Sequence, residues 1–243
     1  MTSTAIIYGG AGGIGAATAK QLSAQGFRLH LVGRDSGRLA EVAGPLGATV
    51  SAGDVTEPAL FARVMSESGF SNLDALVYAV GTINLKPLAR LTEADFARDF
   101  QVNALGAALA VQAALPALKA VESTSSVVLF STVAVAQGFT AHASVSMAKG
   151  AVEGLVKALG AELAPKVRVN AIAPSLTKTP LAKALTGNEA MAKAIGEMHA
   201  LQRLGEPEDV ANLAAFLAGP QAGWITGQVI GVDGGRATLR TKG

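Results

Sequence analysis

Thr4-Ala5-Ile6-Ile7-Tyr8, followed by Gly9-Gly10-Ala11-Gly12-Gly13-Ile14-Gly15, decides the fold of this chain. The first five residues are β-branched, small apolar or aromatic and read as a buried strand. Residues without a Cβ then let the backbone turn tightly and approach a pyrophosphate. The helix that follows offers N–H groups and a positive dipole end to an anion. Two glycine spacings overlap. Gly10-x-Gly12-x-x-Gly15 is the general dinucleotide fingerprint, and Gly9-xxx-Gly13-x-Gly15 is a second pattern laid over it.

Outward from this stretch, β-branched runs alternate with alanine-rich helical ones. Strands are expected at Thr4–Tyr8, Phe27–Val32, Ala48–Ala52, Leu73–Ala79, Ser126–Ser131, Val167–Ile172 and Val229–Val232. Helices are expected at Gly15–Gln25, Gly37–Ala43, Pro58–Glu67, Glu93–Lys119 (one helix or more), Ser144–Leu163 and Pro207–Ala218. Gly26 suits a left-handed cap and Pro207 a first helical position. Such alternation predicts an α/β chain, a doubly wound parallel sheet of about seven strands with helices on both faces. Its ligand belongs at the carboxyl ends of the strands. Residues 1–243 read as one nucleotide-binding domain. The segment of about 30 residues from Ser175 to Glu206, mixed in glycine, proline and charge, reads as a lid.

The end of the second strand, Leu31-Val32-Gly33-Arg34-Asp35, bears on which nucleotide binds. An acidic residue at the Gly33 corner would hold the ribose hydroxyls of NAD and repel the extra phosphate of NADP. Gly33 leaves that corner open, and Arg34 supplies a planar cation suited to a phosphate. Asp35 is opposed to this, unless it caps the next helix. NADP(H) is the preferred cofactor and NAD(H) stays admissible.

Bulk properties narrow the classes. Half of the 243 residues are hydrophobic, 16% are charged and the net charge is +2. The mean hydropathy of +0.38 points to apolar surface buried between subunits, hence a homo-oligomer, dimer or tetramer. No run of about 18 uncharged apolar residues is present, so no membrane span is expected, and residues 1–8 do not read as a signal peptide; a cytoplasmic protein follows. There are no cysteines, which rules out disulfides and thiolate chemistry, and the three histidines lack ligand spacing, so no metal is expected. Scattered basic residues and 5% aromatics do not make a nucleic-acid surface.

Together these motifs resemble the short-chain dehydrogenase/reductase family, a Rossmann-type fold, over nearly the full length. Asp54-Val55 looks like the pair that holds adenine. Tyr78-Ala79-Val80-Gly81 stands where the family has Asn-Asn-Ala-Gly. Asn103-Ala104-Leu105-Gly106 is similar to the helix carrying a catalytic asparagine. Pro174-Ser175-Leu176-Thr177-Lys178-Thr179 resembles the turn that meets the nicotinamide. Trp224-Ile225-Thr226-Gly227 and Val232-Asp233-Gly234-Gly235 resemble the end of tetrameric members, among them the oxoacyl-carrier-protein reductases. The resemblance implies that Gly9, Gly12, Gly13, Ile14, Gly15, Arg34, Asp54, Val55, Ala79, Val80, Gly81, Lys149, Pro174, Ser175, Leu176, Thr177 and Thr179 hold the cofactor.

It also implies a catalytic set. The family uses a tyrosine as general acid or base, a lysine four residues later, a serine thirteen residues before the tyrosine and an asparagine that supports a water relay. Here Lys149 and Asn103 are present, Thr132 keeps the serine's hydroxyl, and the tyrosine's place reads Val145. A valine neither gives nor takes a proton. Lys149, through water or a ribose hydroxyl, and His142, by its ordinary pKa near neutrality, are the groups left to supply one. Tyr8 and Tyr78, the two tyrosines, lie at motif positions that serve the nucleotide.

Two readings stay open. One is an NADP(H)-dependent oxidoreductase that reduces an aldehyde or ketone to an alcohol by an atypical proton donor. The other is a catalytically silent NADP(H)-binding relative with a regulatory or structural role. The lid residues Leu176, Leu181, Leu185, Met191, Ile195 and Met198 suit a hydrophobic carbonyl substrate and equally an amphipathic helix. An isomerase or lyase would need an acidic general base at the substrate, and no Asp or Glu is obvious there.

Overall fold

The computed structural model describes residues 2–240; Met1 and residues 241–243, the ends of the expected domain, lie outside them. Strands β1 (Thr4–Tyr8), β2 (Arg28–Gly33), β3 (Thr49–Ala52), β4 (Ala75–Tyr78), β5 (Ser125–Phe130), β6 (Val167–Pro174) and β7 (Val229–Val232) form one sheet in the order β3-β2-β1-β4-β5-β6-β7. Every pairing is parallel. Parallel strands need crossovers, and these are supplied by helices on both faces. They are α1 (Gly13–Ala24), α2 (Ser36–Ala43), α3 (Ala59–Ser68), α4 (Glu93–Phe100), α5 (Gly106–Ala120), α6 (Val133–Ala136), α7 (Ala143–Leu163), α8 (Lys183–Thr186), α9 (Glu189–Glu197) and α10 (Pro207–Ala218).

The apolar residues of each strand divide between two cores. Ile6, Tyr8, Leu76, Tyr78 and Leu129 face α3, α5 and α7, whereas Ile7, Leu31, Val77, Val128 and Ile172 face α1 and α10. Because both faces are covered, the strands read as unbroken apolar runs. The chain winds from β1 outward to β3, then crosses back to β4. The switch point therefore lies between β1 and β4, where their carboxyl ends open a crevice.

Element ends moved by one or two residues from expectation, as cap chemistry dictates. Asp35 accepts from Arg38 N at 3.1 Å, so α2 starts at Ser36. Gly26, at φ +85°, ends α1, and Pro207 opens α10. The expected helix Glu93–Lys119 is α4, a π turn at Gln101–Leu105, and α5. The expectation of no stretch long and apolar enough to span a membrane needs correction: by length and composition alone Glu93–Ala120 is long and apolar enough, its most apolar 18-residue window having mean hydropathy 1.3. Val102, Ala107, Ala110, Ala114 and Leu118 bury one face of it in the core, which accounts for its composition. The elements α6 and α8, and the 3₁₀ turn Pro180–Ala182, were not anticipated; α9 falls where the lid residues suited an amphipathic helix.

Candidate active site

At the switch point, Gly9 leaves β1 with φ +79°, and its N–H and that of Gly10 donate to Val32 O at 2.8 and 3.0 Å. A Cβ on Gly9 would meet Ala79 O at 2.6 Å, and one on Gly15 would meet Gly9 O at 2.1 Å. Glycine is therefore required where the first turn of α1 crosses the strand end. Gly12 caps α1 with no side-chain acceptor, so the first N–H groups of the helix point outward without an intrahelical partner. That is a built anion cradle. It fits a dinucleotide pyrophosphate on the structure's own terms.

The cradle forms one end of a cleft of about 780 Å³. Gly9, Gly12, Gly13, Ile14, Gly15, Arg34, Asp54, Val55, Ala79, Val80, Gly81 and Thr179 all line it. Arg34 and Arg38 are exposed at its rim. The Asp35 carboxylate is taken up by the α2 cap and by Arg38 Nε at 3.7 Å. Burial raises the pKa of Asp54, but the N–H and hydroxyl of Thr56, with Arg98 and Arg34, outweigh it and hold the carboxyl below its ordinary value. Pro174 ends β6 beside Val232. Ser175 and Leu176 face a separate cavity of about 170 Å³, where Ser175 Oγ donates to His199 Nε2 at 2.7 Å. Thr177 is buried and its hydroxyl donates to Ser175 O.

Beside Gly81, outside the cleft lining itself, the π turn and α7 bring polar groups together. Asn103 Nδ2 donates to Thr82 Oγ1 at 2.7 Å and to Asp99 O at 2.8 Å. Lys149 Nζ donates to Phe130 O at 2.8 Å, and the residue is 6% exposed. Burial lowers its pKa to about 8, with Asp99 working the other way. A Cβ on Gly81 would lie 3.1 Å from Asn103 Oδ1 and 3.3 Å from Lys149 Nζ. The two side chains thus flank one glycine. Thr132 Oγ1 accepts from Ala134 N at 3.3 Å as the cap of α6, so its hydrogen has no partner among the described residues. Val145 is buried in the first turn of α7.

His142 stands apart from the cleft lining. It donates from Nδ1 to Thr140 O at 2.7 Å and sits against Phe139. The tyrosines are buried beneath the cleft, with ring centroids 5.6 Å apart. Tyr78 donates to Val102 O, and burial pushes both hydroxyls well above the ordinary tyrosine value.

Sequence reasoning missed Asp99. Contrary to the expectation that no acidic residue is near, this carboxylate lines the cleft while being only 1% exposed. It accepts from Thr82 Oγ1 at 2.7 Å and Asn84 Nδ2 at 3.3 Å. Its position four residues before Asn103, on one helix face, was the available signal. Arg38 was also missed. Among the described residues, no group of three or more metal-ligating side chains is present.

A glycine cradle at a parallel-sheet switch point, with a buried lysine beside Gly81 of the cleft wall though not itself in the lining, is the layout of a nicotinamide-dinucleotide oxidoreductase. The comparisons fix the class. Residues 9–237 match the family described as enoyl-(acyl carrier protein) reductase. The L-2,3-butanediol dehydrogenase of Corynebacterium glutamicum is 32% identical over 97% of this chain and 98% of its own. A tropinone reductase homolog of Arabidopsis thaliana is 34% identical over 96% of this chain and 78% of its own. Among solved structures, a glucose/ribitol dehydrogenase of Brucella melitensis superposes with a TM-score of 0.90 at 31% identity, over 98% of this chain and 97% of that one. ElxO, solved with NADP bound, superposes with a TM-score of 0.90 at 28% identity, over 98% of this chain and 100% of that one. The chain belongs to the short-chain dehydrogenase/reductase family of oxidoreductases, which use nicotinamide cofactors.

Proposed function

We propose that this protein is an NADP(H)-dependent oxidoreductase that interconverts a small aldehyde or ketone with its alcohol, with Lys149 as the proton donor that Val145 cannot be. One observation carries the reading: Lys149 is buried beside Gly81 of the cleft wall, with a single carbonyl acceptor and a pKa lowered to about 8, poised for proton transfer near neutrality. Arg34 and Arg38 at the rim favour a phosphate on the adenosine ribose, with Asp35 withdrawn into its cap. When bound, the reduced nicotinamide supplies the hydride. Thr132 donates its unpartnered hydrogen to the substrate oxygen. Lys149 Nζ gives that oxygen a proton, is left a neutral amine and regains the proton from solvent. The hydrophobic side of the substrate is met by the lid residue Leu181, exposed at the cleft.

The chain is read as one domain, 1–243, with a lid at 175–206, working in the cytoplasm as a dimer or tetramer. Exposed Leu88, Leu105, Met147 and Trp224 support association. The test is NADPH oxidation across a panel of aldehydes and ketones, with and without Lys149→Ala. Turnover that disappears in the variant is expected. A panel with no turnover above buffer overturns the reading. The buried apolar Val145 favours a second reading, a silent NADP(H)-binding relative. Val145→Tyr separates the two: a silent protein gains activity, whereas an enzyme rebuilt around Lys149 is unchanged or impaired.

A further inference from the structure

We propose that Asp99 is the positioning residue that keeps Lys149 in its ammonium form: a buried counter-charge anchored through Thr82 and Asn103 in place of any help from residue 145. This rests on, and deepens, the reading of Lys149 as proton donor. The carboxylate is buried, and the groups on it are neutral donors: Thr82 Oγ1 at 2.7 Å and Asn84 Nδ2 at 3.3 Å. Among the described residues no cation is paired with it. The same Thr82 hydroxyl accepts from Asn103 Nδ2 at 2.7 Å, and Thr82 N donates to Asn103 Oδ1 at 3.3 Å. Asn103 Oδ1 and Lys149 Nζ then flank Gly81. The carboxylate is thus joined to the edge of the lysine's site by short neutral hydrogen bonds in a low-dielectric wall, where charges interact strongly.

The other charges around α7 are exposed, paired or directed elsewhere, Glu153, one turn from Lys149, being directed at Ser131. Of the elements packed on α7, α6, β5 and the π turn carry no titratable side chain. On α4, Glu93 and Arg98 are exposed, and Asp95 is bound to Lys86 at 2.7 Å. On β6, Arg168 is spent on the carbonyls of Leu217 and Gly219. On α7 itself, Glu153 accepts from Ser131 at 2.6 Å, and Lys157 and Glu162 lie two or more turns further on. Val145 offers the lysine no polar group. Without one, the full cost of keeping an ammonium buried falls on that lysine, and a fixed anion offsets it.

The test is direct titration of Lys149 by ¹⁵N NMR of Nζ in the cofactor-free protein, comparing wild type, Asp99→Asn and Asp99→Glu. The amide is isosteric, so a purely structural role predicts no change. We expect Asp99→Asn to lower the Lys149 pKa by about one unit, roughly tenfold in its charged-to-neutral ratio, with Asp99→Glu restoring most of it. An unchanged Lys149 titration in Asp99→Asn overturns the inference. Should neither variant fold, Thr82→Val removes the carboxylate's anchor and is titrated instead. A lowered Lys149 pKa supports the inference and an unmoved one overturns it. The alkaline limb of NADPH-dependent turnover in Asp99→Asn moves down with the titration if Lys149 is the donor. A titration that moves without the limb retains the charge coupling and sinks only the donor role.

Discussion

Two buried polar clusters sit in this sheet, and they are finished differently. On the β2–β3 edge, His30 is wholly buried, with Thr49 Oγ1 at 2.7 Å from Nδ1 and Ser51 Oγ at 2.8 Å from Nε2. Ser51 passes its own proton to Glu67, which Arg63 also approaches. The donors and acceptors close in order: Thr49 donates to Nδ1, Nε2 donates to Ser51, and Ser51 donates to a carboxylate. Burial lowers the His30 pKa to about 4 against a smaller opposing pull from Glu67, so the ring is neutral at working pH. At the switch point the cluster is left incomplete. Lys149 has one acceptor, Thr132 has a hydrogen to spare, and Val145 adds nothing polar. A closed network secures a fold, whereas one with open valences is available to a ligand.

The comparison breaks first at Lys149. Replacing it with Met is expected to cut NADPH-dependent turnover by about 10²–10⁴-fold. Thermal melts should show the same variant slightly more stable at neutral pH, by roughly 1 kcal/mol, because a buried charge is removed. A variant both inactive and much less stable would place Lys149 with the structural cluster. The converse holds on the other edge. Ser51→Ala leaves the buried His30 Nε2 without its partner and should cost about 1–3 kcal/mol in denaturant unfolding, with kcat unmoved.

Stability against pH sharpens the contrast. Both bases have folded-state values below their ordinary ones, so in each window the unfolded chain binds more protons and stability rises with pH. For His30 the window runs from about 4 to 6.5: its contribution of about 2 kcal/mol is present above 6.5 and is lost as pH falls toward 4. For Lys149 it runs from about 8 to 10.5, and the gain on the alkaline side should vanish in Lys149→Met. Equilibrium unfolding at four or five pH values reads both. The smallest effect is expected at the rim. Arg34→Ala should raise the KM for NADPH about tenfold, spare NADH and leave kcat alone. A loss of kcat would tie the rim to proton handling and blur the distinction.

Much of this was legible in the chain because it is local. The strand–glycine–helix run, the cap at Asp35, Gly26 after α1 and Pro207 at the start of α10 depend on neighbours within a turn or two, and β1, β7 and α10 fall where expected. The cradle glycines line the cleft for the same reason. What stayed hidden depends on distance in sequence. His30, Ser51 and Glu67 meet only when β2, β3 and α3 assemble. Asp99 meets Thr82 across 17 positions. Ser175 was expected at the nicotinamide turn, yet its hydroxyl is committed to His199, 24 residues on. The lid positions suited an amphipathic helix, which α9 is, but the bounds of α8 and α9 were not legible.

That last pairing reaches beyond chemistry. Ser175 with His199, the parallel bridge between Thr177 and Gly205, and Lys178 with Glu206 knot the two stems of one excursion together at its root. The loop-closure entropy is met there, and lengthening the part beyond adds little to it. The stretch carrying α8 and α9 can be exchanged for another without disturbing Pro174 or Pro207. Grafting at that knot is the practical route to giving this scaffold a new appetite while its engine stays as it is.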